Sequence, residues 1–431
     1  MKLKSIALAI TASLIVLATM GQNTERATIA QYDLRADSDS RTRTSVKSHY
    51  TVFQPQNMGT AEDKTLFEQS IEVQQSDLDR NTYLYIENTK SAYDLYVNNN
   101  KVASCEDSLS PTEYDITEYL TLGESTISLI MRPTLLPELE QGIATSERPT
   151  FEGSYIHSQE RLKIYDYLAR VEADKEPTHG RLYLDIIVEN RFNYDETINV
   201  GYDIYDPAGK LLDFSTRKVT LKGNSRDTVS FSPYLYGAVK HLWSTNSKAK
   251  NQPLYNVTLY TKDNRVSGNY IPFRVAYSGA QSALKIKRFN ALHSEAITEA
   301  ELRKIKSSGY NTISPSSPQP LWLYELCDKV GLYIIEQVAI NAPAKSDDRG
   351  VGGTPSNNPQ LKDEYIERVK KSYFRTRNFN CVVAYSLGSE SGNGYNMYKA
   401  YQWLKSRESR RPIIYEGAKG EWNSDELNIA K

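Results

Sequence analysis

The segment from residue 377 to residue 417 constrains the fold more than any other part of the chain. It reads RNFNCVVAYSLGSESGNGYNMYKAYQWLKSRESRRPIIYEG. Residues 382–387 form a short, apolar, β-prone run, which is typical of a strand buried in a parallel sheet. A turn rich in Gly and Ser places Glu390 directly after this run, and apolar residues then return at helical spacing over residues 395–405. A carboxylate at the carboxyl end of a strand in a repeating βα pattern predicts a catalytic position in a (β/α)8 barrel.

Length and charge permit several domains and exclude one class of partner. The chain has 431 residues, which is enough for about two to four domains. Its net charge is −1 and no long run of one sign occurs, so we expect no nucleic-acid partner. The 3 cysteines are too few, and odd in number, for a disulfide framework.

The N-terminal residues have the composition of a secretory signal peptide. Lys2 and Lys4 precede an apolar stretch over residues 6–18, and small residues follow within residues 1–21. We therefore expect a secreted, periplasmic or cell-envelope protein, with a retained N-terminal anchor as the alternative. No cysteine follows the apolar stretch, so we expect no lipoprotein anchor. Residues 22–60 are polar and predict a lead-in that is partly extended or disordered.

Two strand-rich regions follow, over residues 61–164 and 165–278. Their short segments alternate between apolar and polar residues, as over residues 126–131. Turn residues separate these segments, such as the Asn-Asn-Asn sequence at 98–100 and the Asp-Pro-Ala-Gly sequence at 206–209. Closely spaced strands of period two predict an antiparallel β-sandwich.

The pattern changes at about residue 279 to alternating short strands and helices. We predict strands over residues 284–286, 310–313, 332–335 and 412–416, in addition to the run at 382–387. We predict helices over residues 298–308, 321–330, 363–374 and 395–405. This alternation indicates a parallel α/β unit, and residues 279–431 would supply about five of the eight strands of a barrel.

Several segments resemble glycoside hydrolase family 2, the β-galactosidases. Residues 377–417 resemble the acid/base segment of that family, RNHPS…WSLGNESG…RP…YEG. The sequence SAYDLYVNNNKVASCEDSLSPTEYDITEYLTLGE is similar to its sugar-binding jelly-roll domain, and LWSTNSKAKNQPLYNVTLYTKD is similar to the end of its immunoglobulin-like domain. LYELCDKVGLYIIEQ resembles the start of its catalytic barrel. The resemblance implies a jelly-roll β-sandwich, an immunoglobulin-like β-sandwich and then a partial (β/α)8 TIM barrel.

The resemblance also implies roles for individual residues. Glu390 matches the general acid/base of the family, and Ser389 stands where the family has an asparagine that contacts the sugar. Asn98 matches a jelly-roll asparagine that reaches into the sugar site. Asn290 is retained after the first barrel strand, and His293 could replace the family's histidine after a one-residue shift. We therefore expect Glu390 as the catalytic residue and the other four as substrate-binding residues.

Two further elements of the family's site differ in this sequence. The resemblance places magnesium ligands in the loop after the third barrel strand, where this chain has Asn341 and Pro343. These residues offer neither a carboxylate nor an imidazole, so we expect the magnesium site to be lost and no cofactor to be bound. A retaining glycosidase also needs a second carboxylate as nucleophile, which the family carries on a later strand, so no residue here is assigned to that role.

Exposed aromatic residues are a further source of sugar contacts. Trp322, Trp422 and the pair Tyr93 and Tyr96 are the candidates for exposed stacking, whereas Trp403 is expected in the core.

Three functions remain open from the sequence. The chain could be a degenerate relative that binds a glycan or a protein partner. The changes at Ser389, Asn341 and Pro343 favour this interpretation and the structural one below over an active enzyme. It could be an active retaining β-glycosidase completed by a missing C-terminal part or a partner chain. It could also be a structural envelope subunit that docks, or self-associates, through an open barrel edge at residues 412–416.

Overall fold

The computed structural model of the chain describes residues 24–41, 49–141, 149–175, 178–262, 269–289 and 297–430. The expected signal peptide at residues 1–21 lies outside the described residues, as do Asn290 and His293. No helix within the described ranges is long and apolar enough to cross a membrane.

The first sandwich, residues 50–159, consists of two antiparallel sheets packed on one apolar core. Its strands are β1 (Tyr50–Val52), β2 (Gln56–Ala61), β3 (Lys64–Val73), β4 (Asn81–Ile86), β5 (Ala92–Val97), β6 (Asn100–Cys105), β7 (Thr112–Asp115), β8 (Gly123–Arg132) and β9 (Tyr155–Gln159). The sheets have the strand orders β1-β9-β4-β7 and β2-β3-β8-β5-β6. Every second residue of β8 from Ser125 to Met131 is buried, which confirms the predicted alternation.

The second sandwich, residues 162–278, is also antiparallel in its two main sheets. Its strands are β10 (Leu162–Ala173), β11 (Gly180–Asn190), β12 (Glu196–Tyr205), β13 (Leu211–Leu221), β14 (Ser225–Phe231), β15 (Tyr234–Leu235), β16 (Leu242–Trp243), β17 (Tyr255–Lys262), β18 (Asn269–Val275) and β19 (Tyr277–Ser278). One sheet has the order β10-β11-β14 and the other β13-β12-β17-β18. The predicted turn at 206–209 joins β12 to β13, with Gly209 at a φ of 84° that favours glycine.

Residues 24–41 and 49–60, the described part of the expected lead-in, are more ordered than predicted. Ala27 and Ile29 are buried in the core of the second sandwich, and helix α1 (Arg35–Ser40) follows them. Strands β1 and β2 already belong to the first sandwich. Strand β2 could not be predicted because all of its residues are exposed, so no apolar residue marks a buried face.

The barrel domain, residues 286–430, contains a five-stranded parallel sheet of order β20-β21-β22-β23-β24. The strands are β20 (Ile286–Phe289), β21 (Thr312–Pro315), β22 (Tyr333–Gln337), β23 (Val382–Ser386) and β24 (Ile413–Ile414). The helices are α3 (Glu299–Ser307), α4 (Leu321–Val330), α5 (Lys362–Thr376) and α6 (Tyr395–Arg407); a short helix α2 (Gln75–Leu78) lies in the first sandwich.

The predicted βα alternation of this domain is confirmed, but its last strand is shorter than predicted. Helix α4 has the predicted bounds, and the other three helices differ from the prediction by two residues or fewer at each end. Strand β24 covers two residues instead of residues 412–416, because the chain enters a 3-10 turn at Glu416–Ala418.

The C-terminal segment binds the outer edge of β24 and the backbone just before β20. Ser424 and Asp425 bind the outer edge of β24. The N–H of Leu284, just before β20, donates to the carbonyl of Asn428 at 2.7 Å, and the N–H of Ala430 donates to the carbonyl of Leu284 at 2.9 Å. The bare edge expected at residues 412–416 is therefore covered in the described structure.

A buried ion network joins the first sandwich to the barrel domain. Arg368 on α5 is fully buried and donates to the carboxylates of Glu140 and Glu364, each at 2.8 Å. Lys371, one turn further along α5, lies 3.3 Å from the carboxylate of Asp107. Since Glu140 and Asp107 belong to the first sandwich, these pairs fix α5 against it.

Candidate functional site

Glu390 lies in the loop that follows the carboxyl end of β23, as the sequence predicted. Its side chain is exposed, and one carboxylate oxygen accepts a hydrogen bond of 3.2 Å from the hydroxyl of Ser346. Lys419 is close enough for the negative charge of Glu390 to contribute to the raised pKa of its ammonium group. The main cause of that raised pKa is the hydrogen bond of Lys419 to Asp347. The carboxylate is thus accessible from outside and lies in a polar, charged environment.

Backbone contacts fix the loop that carries Glu390. The N–H of Ser389 donates to the carbonyl of Ile340 at 2.8 Å, and the N–H of Ala342 donates to the carbonyl of Glu390 at 3.2 Å. Gly388 has a φ of 144°, and a Cβ there would come within 2.8 Å of the Ile340 carbonyl oxygen. A glycine is therefore required at this position, because the loops after β22 and β23 approach each other closely.

Tyr415, the residue directly after β24, contacts the same loop. The N–H of Ser391 donates to its phenolic oxygen at 3.1 Å. Burial is the largest cause of the raised pKa of Tyr415, and the negative charge of Glu390 raises it further. Tyr415 thus stays protonated and acts as a neutral support beneath the loop. The sequence motif YEG contained this residue, but its contact with the loop could not be derived from spacing.

The loop after β22 bonds to the first sandwich. The side-chain amide of Asn341 donates to the carbonyl of Gln141, and the N–H of Gln141 donates to the carbonyl of Asn341 at 2.8 Å. Pro343 is exposed and offers no ligand atom on its side chain. In the described part of the chain, no three His, Cys, Asp or Glu side chains are grouped so that they could hold a metal ion. The residues at these positions do not fit a magnesium ion.

An ion pair at the carboxyl ends of the first and fifth strands was not predicted. The guanidinium of Arg288 on β20 binds the carboxylate of Glu416, with one N···O distance of 3.2 Å, and both side chains are largely exposed. The two residues lie 128 positions apart, so no local pattern signals the contact. Glu416 is thus a second carboxylate at the carboxyl ends of the barrel strands, where Glu390 also lies. The guanidinium of Arg288 already binds it.

Asn98 lies in the turn between β5 and β6 and is engaged within the first sandwich. Its backbone has a φ of 50°, which asparagine tolerates better than most residues. Its amide donates to the carbonyl of Tyr119 at 3.0 Å, and its side-chain oxygen accepts from the N–H of Thr126 at 2.9 Å. These bonds stabilise the turn. Asn98 and Glu390 share no described contact.

The aromatic candidates divide between surface and core. Trp322 and Trp422 are 39% and 56% exposed, as predicted. Tyr93 is buried and shares a hydrogen bond of 2.9 Å with the phenol of Tyr114, so the prediction of an exposed Tyr93 is wrong. Trp403 packs against the barrel core, as expected.

Comparison with known families gives matches to both ends of the chain. Residues 24–159 match the sugar binding domain of the glycosyl hydrolases family 2, and residues 292–430 match the TIM barrel domain of the same family. Glu390 therefore lies within the region that matches the TIM barrel domain of this family.

Two of the relatives of this chain are β-galactosidases. A β-galactosidase of Priestia megaterium is 26% identical over 371 residues, which cover 79% of this chain and 35% of that protein. A β-galactosidase of Vibrio cholerae is 27% identical over 365 residues, which cover 78% of this chain and 34% of that protein. The chain therefore spans roughly a third of the length of these relatives.

Solved structures share the arrangement of two sandwiches and a barrel. A β-glucuronidase of Bacteroides uniformis superposes with a TM-score of 0.67 at 14% identity, covering 91% of this chain and 52% of that chain. A glycosyl hydrolase family 2 member from Bacteroides cellulosilyticus superposes with a TM-score of 0.64 at 17% identity, covering 83% of this chain and 50% of that chain. These likenesses establish the fold as two β-sandwiches followed by part of a TIM barrel.

Proposed function

Because the chain belongs to glycosyl hydrolases family 2, we propose that it binds a glycan at the carboxyl ends of its barrel strands, and that Glu390 alone does not hydrolyse this glycan. The site comprises Glu390 and the neighbouring Ser389 on the loop after β23. Export through the signal-like residues 1–21 is part of the proposal, since it would bring the site into contact with extracellular glycans.

The environment of Glu390 is the observation that carries the proposal. A general acid in a glycosidase is usually prepared by apolar burial or by a second carboxylate close by. Glu390 is exposed, and its neighbours in the described structure are the hydroxyl of Ser346 and the cation Lys419. Glu416, in the 3-10 turn after β24, is bound by Arg288. These contacts suit hydrogen bonding to sugar hydroxyls better than they suit proton transfer.

An active retaining β-glycosidase is the second candidate. Its support is the place of Glu390 after a barrel strand in a region that matches the family's TIM barrel domain. The nucleophile would then come from residues outside the described chain or from a partner chain. A structural role through docking at the barrel edge of residues 412–416 has less support, because Ser424 and Asp425 bind the outer edge of β24.

Hydrolysis and binding measured on the same protein separate these candidates. We expect no turnover of 4-nitrophenyl β-galactoside above background, and saturable binding of lactose that weakens in Glu390→Gln. The matched control is Glu118→Gln, an exposed glutamate of the first sandwich, which should bind as the parent does. Turnover that disappears in Glu390→Gln would establish the glycosidase instead. Absence of any glycan binding that depends on Glu390 would reject the proposed site.

A further inference from the structure

A cavity of about 700 Å³ lies where the N-terminal segment, the two sandwiches and the barrel domain meet. The N-terminal segment contributes Arg41, the first sandwich contributes Tyr155, the second sandwich contributes Arg274, and helix α4 contributes Trp322 and Glu325. A volume of this size lies within the range of about 300–1,000 Å³ that small-molecule sites occupy.

The cavity is separate from the Glu390 site. Its barrel residues lie on the outer helix layer: Trp322, Glu325 and Asp328 follow one face of α4. Asn378 and Phe379, which precede β23, also line the cavity, whereas Glu390 follows the opposite end of that strand. The five residues of β23 span roughly 17 Å at the usual rise per residue.

Arg274 gives the cavity a positive group without an acidic partner. It is half-buried, and its Nε donates to the side-chain oxygen of Asn256 at 3.3 Å. Within the described ranges no carboxylate lies within 4.0 Å of its guanidinium. Burial is the main cause of the lowered pKa of Arg274, and the positive charge of Arg41 lowers it further. The carboxylates of Glu325 and Asp328 act in the opposite direction, but with a smaller effect. An anion in the cavity would offset the effects of burial and of Arg41.

Arg41 lies near Arg274, so that two guanidinium groups meet in a cavity whose lining also holds the carboxylates of Glu87, Glu152, Glu325 and Asp328. Its guanidinium contacts Glu325 at 3.4 Å, and that carboxylate is about half exposed, with a side-chain exposure of 51%. Solvent therefore screens this pair substantially, so that Glu325 neutralises the two arginines incompletely.

Aromatic side chains provide flat walls beside these charges. Trp322 is 39% exposed on the first turn of α4. Tyr155 is half-buried and stacks on Tyr85 with the ring centroids 4.8 Å apart and the planes inclined by 22°. Such rings pack well against the C–H faces of a pyranose, while planar polar side chains bond to its hydroxyl groups.

We propose that this cavity is a second carbohydrate site, which binds an oligosaccharide carrying a carboxylate, with Arg274 as the partner of that carboxylate and Trp322 as a stacking wall. A guanidinium matches a carboxylate in a two-bond geometry, which explains the preference for an acidic sugar. A small inorganic anion would fill a minor part of the volume, and a wholly apolar ligand would leave Arg274 without a partner. The site extends the proposed glycan binding but does not depend on Glu390.

The test compares an acidic and a neutral disaccharide of the same shape. Titration calorimetry would measure α-1,4-digalacturonate and α-1,4-galactobiose on the full chain carrying Glu390→Gln, so that the Glu390 site does not contribute. We expect digalacturonate to bind at least about tenfold more tightly than galactobiose, the usual scale for a hydrogen-bonded charge pair. No saturable binding of digalacturonate would overturn the proposal.

Variants then assign the two contacts. Arg274→Gln should remove the preference for digalacturonate, and Arg274→Lys should retain part of it. Trp322→Ala should lower the affinity for both sugars to the same extent. Arg217→Gln removes the same charge from an exposed position of the second sandwich and should bind as the parent does. Thermal unfolding of each variant would show that the fold is retained. Unchanged digalacturonate binding in a folded Arg274→Gln variant would overturn the assignment, whatever the outcome at Glu390.

Discussion

Asp425 binds the backbone of Ile413 in both directions at the outer edge of β24. The N–H of Ile413 donates to the Asp425 carboxylate at 2.9 Å, and the N–H of Asp425 donates to the Ile413 carbonyl at 2.7 Å. The carboxylate also accepts from the hydroxyl of Tyr401 at 2.7 Å and pairs with Lys405. The backbone and side chain of Asp425 together replace a neighbouring strand, and its carboxylate ties the edge to helix α6.

Asp425→Ala should open this edge. We expect a loss of about 1.5–3 kcal/mol in the free energy of unfolding, the scale of hydrogen bonds to a charged group, and faster amide exchange at Ile413. The matched control is Glu426→Ala at the exposed neighbouring position, which should leave both quantities unchanged. Hydrogen exchange followed by mass spectrometry would measure the amides. Unchanged protection of Ile413 in Asp425→Ala would mean that another group covers the edge.

The barrel elements could be predicted because their signals are local. The apolar run at residues 382–387 and the helical spacing after it each follow from period and polarity within a single element. Glu390 was placed at a strand end for the same reason. The exposed strand β2 was missed, since a strand without a buried face has no alternation to detect.

Contacts between distant elements could not be predicted. Arg288 and Glu416 meet across the sheet, and Asn341 bonds to Gln141 in another domain, although each residue is an unremarkable polar side chain in the sequence. The resemblance suggested that a metal ligand was lost at Asn341. It did not indicate that Asn341 bonds to Gln141 of the first sandwich.

Arg368 is expected to be the most sensitive residue of the domain junction. Its replacement by Met would leave the buried carboxylates of Glu140 and Glu364 without their cation. We expect a loss of about 3–5 kcal/mol in the free energy of unfolding, the usual result of breaking a buried pair. Arg349→Met is the control, because its pair with Glu421 lies at the surface, with side-chain exposures of 51% and 34%, and contributes at most about 1 kcal/mol. Chemical denaturation would compare them, and equal effects would contradict a special role for the buried network.

Magnesium should leave the thermal stability of the protein unchanged. The side-chain amide of Asn341 is engaged by Gln141, and Pro343 has no ligand atom to offer. A ligand that binds the native state at a hundredfold excess over its Kd would add about 2.7 kcal/mol. Differential scanning fluorimetry with millimolar MgCl2, before and after EDTA, would detect such a gain. A rise in melting temperature that EDTA reverses would show that the protein has a magnesium site after all.

Asp328 should make the protein less stable as the pH rises from about 4 to 6. Its carboxylate on α4 is buried, and burial raises its pKa from an ordinary value of 3.8 to about 6, although it accepts a hydrogen bond of 2.7 Å from the N–H of Cys381. Between these two values the folded protein holds a proton that the unfolded chain has released. The free energy of unfolding therefore falls by up to about 1.4 kcal/mol per pH unit over this window. Asp328→Asn keeps an oxygen acceptor for Cys381 but cannot ionise, so its stability should depend less steeply on pH from 4 to 6. Urea denaturation of both proteins at several pH values would measure the difference, and parallel pH profiles would show that Asp328 titrates normally in the fold.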